Sequence, residues 1–110
     1  MDFKYEVTVI PVSDVDRSKE FYAERVGFNV DGDHGAGAFR VVQLTPPGSA
    51  ASITIGKGIP QAEPGSYQGM HLVVEDLPAA RELLVERGVE VSEPFHFGPE
   101  GQAAGMHPER

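Results

Sequence analysis

Two stretches of this 110-residue chain carry the same pattern. Asp14, Glu20, Glu24 and Arg25 recur as Asp76, Glu82, Glu86 and Arg87 at one constant offset, 76 − 14 = 62 residues. After one extra residue in the first copy, Val26, the correspondence resumes with Gly27 and Val30 against Gly88 and Val91. Such a spacing exceeds the roughly 20 to 50 residues of a solenoid repeat, so it implies two paired modules inside one domain. A pair of that kind tends to enclose something between its halves.

Each copy reads as strand, helix, strand. Val7, Thr8, Val9, Ile10, Pro11 and Val12 form a β-branched, apolar run, and Asp14 predicts an N-cap whose carboxylate accepts from unpaired backbone N–H groups. A helix over residues 14–26 follows, with Val15, Ser18, Phe21, Tyr22 and Val26 spaced by three or four, and Gly27 stops it. In the second copy Met70, His71, Leu72, Val73 and Val74 predict a strand. Asp76 then caps a helix over 76–87, Pro78 sits in the first turn where its missing N–H costs little, and Leu77, Ala80, Leu83, Leu84 and Val85 supply the apolar stripe. Val89, Glu90 and Val91 predict one more strand, before the turn-like run Gly98, Pro99, Glu100, Gly101.

Strand character also marks 28–30, 39–44 and 52–55, separated by the turn signals Asp31-Gly32-Asp33 and Pro46-Pro47-Gly48-Ser49. The first module is therefore βαβββ. Residues 56–69, with Gly58, Pro60, Pro64 and Gly65, predict a connection within one domain, because neither half has enough residues for a good core. The expected organisation is a single domain over 1–110: a first module over 1–56, a connection over 57–68 and an incomplete second module over 69–110.

The chain has no cysteine, which removes disulfides, thiolate nucleophiles and thiolate metal ligands together. A formal charge of −8 argues against nucleic acid as a partner, since phosphate binding depends on clustered Lys and Arg. With neither a long apolar run nor a charged-then-apolar leader, no membrane span and no secretory signal are expected, and the cytoplasm is the expected location.

The run Val9-Ile10-Pro11-Val12-Ser13-Asp14, followed by Ser18-Lys19-Glu20-Phe21-Tyr22 and Val26-Gly27-Phe28, resembles the opening signature of the vicinal oxygen chelate (VOC) superfamily, the glyoxalase, bleomycin-resistance and ring-cleaving dioxygenase group. The resemblance spans nearly the whole chain. It implies an α+β fold of paired βαβββ modules enclosing a cup, and it is poor evidence for reaction, because one fold hosts many chemistries. The family's closing turn and final strand have no match at His107-Pro108-Glu109-Arg110, so the second module is expected to lack about two strands. An open sheet edge invites association, and a homodimer is expected.

By the same resemblance, the ligands of metal-dependent members stand seven residues before each capping Asp, at positions held here by Val7 and Gly69, with a third approximately at Ser52. A divalent ion wants several oxygen or imidazole donors, so a metal is disfavoured and no cofactor is expected. His71 would share a strand face with residues 69 and 73 and look into the cup. Two readings of it stand: a hydrogen-bonded His on a half-buried strand, or a ligand-binding or acid–base His, whose unperturbed pKa of about 6.5 suits proton transfer. Gln43 shares a face with Phe39 and Val41, and Ser52 with Thr54. With Val7, Val9 and His71 these are the candidate ligand-binding residues, a few polar groups on an apolar lining. Phe21 and Tyr22 follow the helix stripe and are expected in the core. His34 and His107 fall in Gly-rich loops and are expected to be solvated; the face of His96 is left open.

Two function classes follow. One is a metal-free protein that binds a small molecule in the cup, as the resistance members do. The alternative is a lyase, isomerase or dioxygenase using a metal completed by the absent strands, or His71 as acid or base.

Overall fold

The two capping aspartates act identically. In a computed structural model describing residues 1–58 and 63–106, the Asp14 carboxylate accepts from the Arg17 backbone N–H at 3.0 Å, and the Asp76 carboxylate from that of Ala79 at 3.0 Å. Both caps have extended backbone, at φ −130° and −125°. The repeat is thus one helix-starting device used twice. The chain divides into two units, Met1–Met70 and His71–Arg110.

In the first unit β1 (Val7–Pro11) leads to α1 (Val15–Glu20), which runs on into a π-helical turn over Phe21–Val26. The extra residue of the first copy explains that turn. Its wider hydrogen bonding, with the Gly27 N–H donating to the Tyr22 carbonyl at 3.0 Å, takes up one residue more per turn. The counterpart helix α2 (Leu77–Glu86) lacks the insertion and is regular α-helix. Gly27, at φ 96°, then turns the chain in a left-handed conformation open to glycine.

Strands β2 (Asn29–Ala36), β3 (Phe39–Thr45) and β4 (Ser52–Lys57) complete a four-stranded sheet in the order β1-β4-β3-β2, with β1 parallel to β4 and the other pairs antiparallel. Alternation splits the side chains cleanly. Val42, Leu44, Ile53 and Ile55 turn to one face and are buried with Val15 and Phe28, and Ile10, Val12, Tyr22, Ala23 and Val26 pack around them. Burial of side chains such as Leu44 or Ile55 contributes roughly 1.5–3 kcal/mol each.

The turn expected at Asp31-Gly32-Asp33 is instead part of β2, which bends at a bulge between Val30 and Gly32 and reaches Ala36. On the buried side of the sheet, Asp33 meets Lys19 of α1 at 2.9 Å and the Arg40 guanidinium at 2.8 and 3.0 Å, while Arg40 also binds Asp16. These pairs tie the helix to the β2–β3 hairpin.

The second unit contains α2 and a hairpin of β5 (Phe95–Gly98) and β6 (Gly101–Ala104). Two expected strands are corrected here. Residues 70–74 form no strand: β1 has a single neighbour, β4, and 70–74 find no counterpart of β4 among the described residues. Residues 89–91 form none either. The Arg81 side chain takes the Val91 and Ser92 carbonyls, at 3.5 and 2.9 Å, and reaches Glu93 at 3.1 Å. The turn-like run at Gly98-Pro99-Glu100-Gly101 is the turn of a hairpin. The apolar stripe of α2 is present, yet no residue of the helix is buried. Pro60 and His107 lie outside the described residues.

Candidate functional site

The face of the first unit's sheet opposite α1 holds seven of the eight candidate residues. The strand register sets them in rows: Val7 beside Ser52, Val9 beside Thr54, Thr54 beside Gln43 and Val41 beside Gly56. Phe39 stands at the start of β3, half-exposed at 45%. The surface is apolar at Val7, Val9, Val41 and Phe39, with a polar strip between. A depression of about 310 Å³ abuts it at the C-terminal ends of β1 and β4, lined by Pro11, Val12, Ser13, Gly56, Lys57, Gly58 and Pro64.

The polar residues of this face fall into two groups. Thr45 and Ser52 share a hydroxyl hydrogen bond at 2.6 Å, and Thr45 also donates to the Asp31 carboxylate. Gln43 and Thr54 make no side-chain hydrogen bond among the described residues. Their capacity to donate and accept is unused.

His34 is the residue that sequence reasoning missed. It was expected in a solvated loop, whereas it lies in β2 directly opposite Val41 and so on the same face. Its imidazole leans along the strand over Gly32: a Cβ built at Gly32 would come 3.1 Å from His34 Nε2 and 3.6 Å from Cδ2. Gly32 in turn stands opposite Gln43. The readable signal was the period-two spacing of Gly32, His34 and Ala36, hidden by the Asp-Gly turn signal.

His71 belongs to the second unit. It is exposed, lies on residues that form no strand, and has no hydrogen-bond partner among the described residues, so the expected alternation of 69, 71 and 73 along a strand does not arise. His96 donates through Nδ1–H to the Gly105 carbonyl at 2.9 Å, while Phe95 and Phe97 pack edge-to-face with ring centroids 5.8 Å apart. Tyr22 packs on the core as expected; Phe21 touches it at 5.2 Å from the exposed side.

By the resemblance, metal ligands would stand at positions 7, 69 and, approximately, 52. Val7 offers no donor, Gly69 has no side chain, and Ser52 is engaged with Thr45. Among the described residues no group of three or more His, Asp or Glu side chains is placed to hold an ion.

The model of the Glyoxalase/Bleomycin resistance protein/Dioxygenase superfamily matches residues 4–108. Among solved structures, a glyoxalase/bleomycin resistance protein from Streptomyces sp. CB03234 is 33% identical with a TM-score of 0.73, covering 87% of this chain and 83% of its own. TnmS3, described as an antibiotic binding protein from the same Streptomyces, is 33% identical with a TM-score of 0.75, over 89% of this chain and 80% of its own. A superfamily member from Sphaerobacter thermophilus DSM 20745 is 29% identical with a TM-score of 0.71, over 94% and 86%. Comparison with curated proteins returned no match.

Proposed function

This chain belongs to the Glyoxalase/Bleomycin resistance protein/Dioxygenase superfamily, and from that premise we propose that it is a binding protein that holds a small molecule on the face formed by Val7, Val9, Phe39, Val41, Gln43, Ser52 and Thr54, without a catalytic metal. One observation carries the reading. The face combines half-buried Val7, Val9 and Val41 and exposed Phe39 with Gln43 and Thr54, whose hydrogen-bonding groups have no partner among the described residues. Ligand sites are mostly apolar surfaces with a few placed polar groups that fix orientation. The likeness to TnmS3 supports the same reading, because that relative is described as binding an antibiotic.

His71, exposed and unpartnered among the described residues, lacks the neighbour that would orient it for acid–base work. In this reading the protein acts in the cytoplasm as a homodimer, with neither nucleic acid nor membrane as partner. Among the described residues no helix is long and apolar enough to cross a membrane.

The test is a titration of the isotope-labelled protein with a panel of natural-product antibiotics, followed by NMR. Saturable shifts grouped at Val9, Val41, Gln43 and Thr54 are the expected result. A panel that moves only residues of the opposite, helix-covered face would assign the binding elsewhere. Elemental analysis of protein purified without chelator should give sub-stoichiometric divalent metal, and one tightly held ion per chain would overturn the metal-free reading.

A further inference from the structure

Thr54, Gln43 and His34 form a lane. Thr54 on β4 stands beside Gln43 on β3, Gln43 faces Gly32 on β2, and the His34 ring fills the space that the missing Gly32 side chain leaves. With neighbouring strands about 4.8 Å apart, the lane is roughly 10 Å long. All three side chains can donate and accept, and none has a hydrogen-bond partner among the described residues. Val9 continues the row past Thr54, and Val41 lies one row over, beside Gln43 on β3 and opposite His34.

Charge narrows the ligand further. No Lys or Arg occupies these rows; Lys57 stands past their end, beside the depression, and the Asp31 carboxylate lies at the opposite end with Thr45. An anion seated here would lose water and gain no cation, which is costly. A flat apolar body with uncharged hydroxyl or carbonyl groups along one edge matches both the apolar side chains of Val9 and Val41 and the neutral lane beside them.

We propose that His34, Gln43 and Thr54 act together as the specificity lane of this face, selecting uncharged, polycyclic aromatic ligands with hydroxyl or carbonyl groups on one edge and rejecting anionic ones. This rests on the binding function proposed above and assigns its ligand class. His34 is the member that depends on position, because its ring is held over Gly32 and a methyl group there displaces it by a few tenths of an ångström.

Three probes that differ at one substituent test the lane by NMR titration at pH 7: 2-naphthol, which is uncharged, naphthalene, which has no hydrogen-bonding group, and 2-naphthoate, an anion. The expected result is that 2-naphthol binds this face about 5- to 10-fold more tightly than either, the gain from one or two well-placed hydrogen bonds. His34→Phe and Gln43→Leu should each reduce that preference toward unity. Gly32→Ala, which keeps all three lane side chains but shifts the His34 ring, should reduce it partly. All the substituted positions lie on the exposed side of the sheet, so the spectra of the variants also report whether the fold is kept.

If 2-naphthoate binds as tightly as 2-naphthol, or the preference survives both His34→Phe and Gln43→Leu, the lane does not select the ligand and this proposal falls while the binding function stands. If none of the probes shifts any resonance of β1, β3 or β4, both fall.

Discussion

Asp33 holds two cations at once, and the geometry has a pH signature. Hydrogen bonds from Arg40 first and Lys19 second keep its carboxyl well below the ordinary carboxylate range. A group whose pKa is lowered in the folded state adds stability that is complete above its unfolded value, about 4, and is lost as the pH falls from there toward the lowered native value. The stability gap between the native chain and Asp33→Asn, measured by urea unfolding, should therefore be constant above about pH 4 and narrow below it. A gap that ignores pH would mean that the pair forms equally in the unfolded chain. Replacing the cap, Asp14→Ala, should cost about 1 kcal/mol in the same assay through the orphaned Arg17 N–H. The capping role of Asp14 was legible because a carboxylate before a helical apolar pattern has one dominant use. The place of Asp33 and His34 was not, since Asp-Gly signals a turn locally and only the long-range pairing with β3 makes it a bulged strand.

At the scale of elements, the one-residue difference between the copies proved informative: Val26 is absorbed by a π-helical turn that Gly27 closes at φ 96°. Gly27→Ala should destabilise the protein by roughly 1–2 kcal/mol, because the left-handed conformation brings Cβ against the following carbonyl. A urea midpoint shift with unchanged slope would register it; an unshifted midpoint would show that the turn relaxes. The helices, the hairpin of β3 and β4 and the shared face of Val7, Val9, Phe39, Val41, Gln43, Ser52 and Thr54 follow from period and turn chemistry alone. Residues 70–74 have the same β-branched, apolar character as β1, yet a strand exists only where a neighbour completes its ladder. Composition cannot report a neighbour. For the same reason the β5–β6 hairpin was hidden, its Gly98-Pro99-Glu100-Gly101 turn read without the strands on either side.

For the whole molecule, the distribution of apolar surface is lopsided. Among the described residues the six of the buried core all lie in Met1–Met70, whereas His71–Arg110 leaves Val73 97% and Phe97 72% exposed, with Leu72, Leu83 and Val85 near half. Exposed apolar surface on that scale marks an interaction site, and burying it is worth about 25 cal/mol per Å². Sedimentation equilibrium at micromolar concentration should give a homodimer, weakened by Val73→Asp; a monomer that binds no apolar dye would show that this surface is covered within one chain. The paired-module plan was legible from the repeat, and the uneven sharing of the core was not, because both halves have similar apolar content. The position of β1 adds something about time. Among the described residues it bonds to β4 alone, and its pairing of Val7 with Ser52 closes the longest loop in the sheet, whereas β2, β3 and β4 are joined by short connections. Contacts that close long loops form late, and an edge strand with one neighbour opens at little cost. Amide hydrogens of β1 should thus exchange sooner than those of Val42 and Leu44, and a molecule lying across Val9 and Thr54 would bridge the strand that leaves first to one that stays, slowing that exchange along with its own escape.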